Sequence, residues 1–135
     1  LTDRSRHILP NTIAEKAELK ERYCEAFAKT AKLYEEFKAS GVSEELCAYV
    51  QLSGNTVDIV TTINGRELLL FMKLRSCTRA QWEIQEFAIE MLKKLRSVDK
   101  TVFAFYGPSC FVDKCTEGPM TCGRALEMKD FFSNL

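Results

Sequence analysis

The chain has 135 residues and balances 19 Lys and Arg against 19 Asp and Glu, for zero formal charge. That balance removes the electrostatic ground for nucleic acid or an anionic membrane as partner. No apolar run approaches the ~20 residues of a membrane-spanning helix, and the length suits one domain, 1–135, burying about two-thirds of its extended-chain surface.

The start at Leu1, with no basic-then-apolar leader, suits a mature chain after removal of a signal peptide and a trimmed chain equally. Residues 1–11 show no periodicity and read as an extended lead-in. Thr12 and Glu15 form a capping-box pattern, and from there to Ala39 one long amphipathic helix is expected. Its stripe carries Ile13, Ala17, Cys24, Phe27, Ala31 and Tyr34, and Gly41 fits the left-handed position that ends it.

From Leu46 to Leu74 the spacing predicts a three-stranded antiparallel meander over 46–52, 56–63 and 66–74. Asn64-Gly65 is a two-residue hairpin signal, since a type I′ turn needs positive φ at both central residues. Counting outwards sets Ile59 against Leu70 and Val57 against Met72, and a second turn at Gly54-Asn55 sets Val50 against Ile59. One face then carries Leu46, Ala48, Val50, Leu52, Val57, Ile59, Leu68, Leu70 and Met72. The opposite face carries Tyr49, Gln51, Asp58, Val60, Glu67, Leu69 and Phe71, too apolar to be fully solvated.

Thr78 and Gln81 form a second capping-box pattern, opening a helix to about Ser97 with Ile84, Phe87, Ala88, Met91 and Leu95 as its core stripe. Trp82 falls on another side of it. Thr101 to Tyr106 reads as a fourth, buried strand, Gly107-Pro108 ends it, and 107–135 reads as a cysteine-rich tail with a last helix from Arg124 to Phe132. The fold class is therefore α+β: long N-terminal helix, meander, second helix, fourth strand and a disulfide-stapled C-terminal segment. The order helix, three strands, helix is shared with double-stranded-RNA-binding domains. The likeness is one of order only, because Trp82 and Glu83 stand near the start of the second helix, where that family relies on lysines.

Six cysteines, Cys24, Cys47, Cys77, Cys110, Cys115 and Cys122, are even in number and suit a disulfide framework in an oxidising compartment. The expected register keeps Cys47 from pairing with Cys77. Within the tail, C-x4-C-x6-C offers three thiolates with no histidine nearby, so a structural zinc site ranks behind disulfides. His7 is the sole histidine and is read as an incidental surface side chain. Without it no Ser-His-Asp or Cys-His mechanism is available. Glu83, Glu86 and Glu90 read as a solvated helix face.

These features predict a secreted, non-catalytic binding protein without cofactor or metal. Its partner, a protein or a small apolar ligand, is expected on the mixed face of Tyr49, Gln51, Asp58, Val60, Glu67, Leu69 and Phe71, with Trp82 nearby. The alternative is an intracellular interaction or scaffold domain with reduced cysteines, forming a homodimer through its first helix or that sheet face.

Overall fold

The computed structural model describes residues 6–135, so residues 1–5 of the expected lead-in lie outside the described residues. The chain divides into two compact units, Leu1–Val60 and Thr61–Leu135. Among the described residues there is no strand, and the α+β expectation gives way to an all-helical fold. No helix of these residues is long and apolar enough to cross a membrane.

In the first unit the helix expected over 12–39 is two helices, α1 (Asn11–Ala14) and α2 (Ala17–Ala39). Lys16 between them is extended, with φ −117° and ψ 100°. α2 buries Phe27 and Tyr34, seven residues apart on one stripe, as amphipathic spacing requires. At its end Gly41 takes φ 82°, Gly41 N–H donates to Lys38 O at 3.0 Å and Val42 N–H to Phe37 O at 3.1 Å. This is the paired-bond pattern of a Schellman cap, which a side chain at positive φ would strain. α3 (Glu44–Cys47) and a 3₁₀ turn (Ala48–Val50) then pack against α2 where the first strand was expected.

His7 is not an incidental surface residue. Its ring stacks on Phe27 at 4.3 Å, and its Nε2 lies 3.7 Å from Cys24 Sγ. The one strand-like contact among the described residues is a single bridge between His7 and Asn55. Residues 56–64 are irregular and exposed apart from the half-buried Thr56 and Ile63, so the face expected to unite Val57, Ile59 and Leu70 does not exist.

The second unit begins with the sharpest correction. Asn64-Gly65 is no hairpin: Asn64 is the N-cap of α4 (Gly65–Arg75), and its side-chain oxygen accepts from Glu67 N–H at 3.0 Å. Asn at the cap with Glu three residues on is a helix-start pattern. The following Arg-Glu-Leu-Leu-Leu-Phe-Met-Lys-Leu-Arg contains no β-branched residue and is dominated by strong helix formers. Its burial has helical period, since Leu68 and Met72 are buried whereas Leu70 is 51% exposed. Asn64→Ala is expected to cost about 1 kcal/mol, the usual worth of a side-chain N-cap. Urea unfolding checks it, and an unchanged midpoint would mean that the cap holds nothing.

α5 (Trp82–Val98) packs on α4 and buries Ala88, Leu92 and Arg96, one residue round from the expected stripe, whose Phe87 is exposed. With Leu68, Met72, Cys110, Met128 and Phe132 these apolar side chains make one core. α6 (Ser109–Val112) and α7 (Ala125–Ser133) close it.

The expected fourth strand, Thr101 to Tyr106, is a run of turns. Asp99 Oδ1 accepts from the N–H groups of Thr101 and Val102, both at 2.9 Å, which bends the chain at once. Its carbonyls find their partner in Arg96, not in a neighbouring strand. The guanidinium donates to Phe103 O (3.3 Å), Ala104 O (3.1 Å), Tyr106 O (3.2 Å) and Phe132 O (2.6 Å). Burial pulls Arg96 below its ordinary pKa, and a guanidinium, with its very high pKa, stays charged even so.

Candidate functional site

α4 turns Leu68 and Met72 inward, so its i+2 positions, Leu70 and Leu74, face out. With Ile63 and Phe71 they line an open groove of about 420 Å³, bordered by Thr62, Asn64, Glu67 and Arg75. The walls are apolar along the middle and charged at the ends. Arg75 in the last turn of α4 has no ion-pair partner among the described residues, and neither do Arg66 and Lys73 on the adjoining face. An uncompensated guanidinium beside an apolar wall suits a planar ligand carrying negative charge, since Arg recognises phosphate or carboxylate with its rigid fork.

Of the residues expected on a binding face, Glu67 and Phe71 meet in this groove, and Leu69 lies on the adjoining face with Arg66 and Lys73. Tyr49, Gln51, Asp58 and Val60 belong to the first unit. Tyr49 and Val60 are exposed there on no sheet, and Asp58 makes a 3.4 Å ion pair with Arg6. Trp82, half-buried, opens α5 and does not line the groove. The sequence reading missed Leu74 and Arg75, and it assigned Leu70 to a covered sheet face. Glu67, Leu70, Phe71, Leu74 and Arg75 recur at i, i+3, i+4, i+7 and i+8, one face of a helix, a signal the hairpin reading concealed.

All six cysteines are free, which corrects the disulfide framework. The register that kept Cys47 from Cys77 disappears with the sheet. Four of them, Cys77, Cys110, Cys115 and Cys122, line a second, smaller pocket between the α4–α5 turn and the tail. Burial pushes the Cys110 thiol up, and the nearness of Cys77 adds to the rise. The adjacent Thr78 hydroxyl, with the Arg124 backbone N–H, holds Cys122 below the ordinary thiol range. Among the described residues no three His, Cys, Asp or Glu side chains stand in ready ligating geometry.

The family described as "Thymidylate synthase complementing protein" (Thy1) matches residues 1–99, which include the whole of the α4 groove. Three proteins named flavin-dependent thymidylate synthase are similar to the chain. That of Geobacter sulfurreducens is 35% identical over 128 residues, covering 95% of the chain and 55% of the relative. That of Clostridium tetani is 33% identical over 146 residues, covering 96% and 59%, and that of Sulfurisphaera tokodaii 38% over 124 residues, covering 89% and 47%. The chain thus spans about half the length of these relatives. No solved structure matches it.

Kinship with enzymes overturns the secreted, non-catalytic binding protein and its scaffold alternative. Composition could not reveal this, because a site that binds a cofactor to do its chemistry needs no histidine base or nucleophilic cysteine of its own. On the match over residues 1–99, the chain belongs to the Thy1 family of thymidylate synthase complementing proteins.

Proposed function

We propose that the chain forms part of a flavin-dependent thymidylate synthase and that the α4 groove is one wall of its ligand site. The observation that carries this reading is Arg75, without an ion-pair partner among the described residues, beside the exposed Leu70 and Leu74 and the half-buried Phe71. Thymidylate is a nucleoside monophosphate, a flat ring attached to an anion, and a flavin nucleotide shares that chemistry. Leu70, Phe71 and Leu74 fit the face of such a ring, and Arg75 fits a phosphate or a ring carbonyl.

The fit covers one wall. A ring laid on this groove keeps its other face open, so a second copy or the remaining length of the relatives would close the site. When bound, the flavin supplies the redox chemistry, which no side chain of the groove can perform. The residues of this chain bind and orient: the apolar wall excludes water from one ring face, and Arg75 sets the position of the anion. The ligand read from sequence as an apolar molecule becomes an anionic nucleotide, and Glu67 and Phe71 keep their proposed place beside it.

Arg75→Ala is expected to weaken thymidylate binding about 10- to 100-fold, since a hydrogen bond to a charged group contributes about 1.5–3 kcal/mol. Isothermal titration of thymidylate into the chain measures it, with circular dichroism as the check on folding. Equal affinity in the folded variant would remove the groove as the site.

A further inference from the structure

Three separate stretches bring four cysteines to one pocket. Cys77 comes from the turn after α4, Cys110 from α6, and Cys115 and Cys122 from the segment before α7. The pocket leaves only about 10 Å³ for the centre of a water-sized sphere, room for one ion and not for an organic cofactor or a multi-iron cluster. Backbone donors recur at the same offset: Arg79 N–H donates to Cys77 Sγ at 3.5 Å, and Arg124 N–H lies against Cys122. Gly123, at φ 73°, makes the second turn without strain.

Two hydroxyls complete the surroundings. Thr121 Oγ1 is 3.5 Å from Cys115 Sγ, and the buried Thr78 hydroxyl lines the pocket without a hydrogen bond of normal geometry. N–H and O–H groups gathered round sulfur are the outer shell that a metal-bound thiolate uses.

The segment these cysteines hold has little else to fix it. Residues 113–124 contain one 3₁₀ turn, Gly118–Met120, and no residue among them is buried. We propose that Cys77, Cys110, Cys115 and Cys122 bind a single zinc ion as a tetrathiolate and thereby clamp residues 113–124 to the α4–α5 turn. Four thiolates around one divalent ion are the soft, closed set of a structural zinc site. None of the four is engaged in a disulfide. Arg79 and Lys114, each within two residues of a ligand in the chain, supply positive charge to offset the −2 of such a centre, while Arg124 is held by Glu127. Reaching the Zn–S distance of about 2.3 Å asks for rotation of the cysteine side chains and contraction of the exposed loop. Three of the four ligands lie beyond residues 1–99, so the site stands apart from the groove and does not depend on its reading.

The test is metal analysis of the full chain, produced with zinc and purified without chelator or oxidant. The expected result is about one zinc per chain, and replacement by cobalt should give the intense visible bands of a tetrahedral cobalt–thiolate centre. Cys115 is exposed, so Cys115→Ser should leave the fold intact while removing most of the bound zinc. Cys115→His, which restores a zinc ligand, should recover it, and Cys24→Ser should keep it throughout. No bound zinc or cobalt in the wild type, undiminished zinc in Cys115→Ser, iron with acid-labile sulfide, or disulfides among the four cysteines would each overturn the proposal. Should Cys115→Ser fail to fold, the cobalt spectrum of the wild type decides: thiolate-to-cobalt charge transfer supports the site, and its absence overturns it.

Discussion

Arg96→Met is expected to destabilise the Thr61–Leu135 unit by about 3–5 kcal/mol, the cost of breaking a buried charged network and leaving its partners unpaired. Arg96 is 9% exposed and donates to four backbone carbonyls, three in the turns at 103–106 and one in α7. Methionine keeps the apolar stem that packs in the core but leaves those carbonyls without a donor. Its guanidinium carbon also sits 5.9 Å from the centre of the Phe111 ring, a further contact that methionine forfeits in part. Arg96→Lys should recover little, because a single ammonium cannot span the acceptors that a planar fork reaches together. Urea unfolding followed by the fluorescence of Trp82, the sole tryptophan, measures both variants. A loss below about 1 kcal/mol in Arg96→Met, the range of an ordinary surface change, would show that water satisfies these carbonyls as well as the guanidinium does.

Phe132→Ala is expected to cost about 3–5 kcal/mol, the range for emptying a fully buried aromatic site. Phe132 has no exposed surface, and its ring lies 5.8 Å from that of Phe111 and 5.1 Å from that of Phe131. The surroundings are too tight to collapse cheaply. A Cβ added at Gly107 would already stand 2.7 Å from the Phe111 ring and 3.3 Å from that of Phe132. The neighbouring Phe131→Ala supplies the contrast: that side chain is 42% exposed, so its removal should cost clearly less. Equal losses at 131 and 132 would mean that α7 is not seated on the core by the face described. Because Arg96 and Phe132 share the Phe111 ring as a neighbour, the double variant Arg96→Met with Phe132→Ala should lose less than the sum of the two.

Part of the groove's lining carries a signal in the sequence, read there in the wrong secondary structure. Glu67 and Phe71 are expected on a mixed sheet face because they alternate with Leu68 and Leu70; that strand does not form, and the two line the α4 groove as neighbours one helical turn apart. Arg75 reads only as a basic residue flanking the second helix and not as part of a binding face. At a strand end it would lie outside the face, whereas in the last turn of a helix it falls four residues after Phe71, on the groove side. The six cysteines read as a disulfide framework, whereas all six are free. Spacing alone showed three thiolates in the tail, but the fourth, Cys77, lies 33 positions before Cys110, and nothing local reports that a helix between them returns the chain to the same place.

By itself the sequence determined the elements whose signals are local and unopposed. α2 follows from its apolar stripe and ends at Gly41, because the left-handed position closing a Schellman cap strains any residue with a side chain. α5 follows likewise from its period, to within about one residue of its true buried stripe. Tertiary structure decided the rest. Asn64-Gly65 serves a hairpin and a helix cap equally well, and alternation from Leu68 to Met72 also places Leu68 and Met72 one helical turn apart. The choice between them is made by Ala88 and Leu92, to whose cluster Leu68 and Met72 can add only as neighbours on a helix face. The same holds at Thr101–Tyr106, where an apolar run needs partners for its carbonyls. A strand would have found them in a neighbouring strand. Here Arg96, buried in the last turn of α5, supplies the donors, and the run is free to turn.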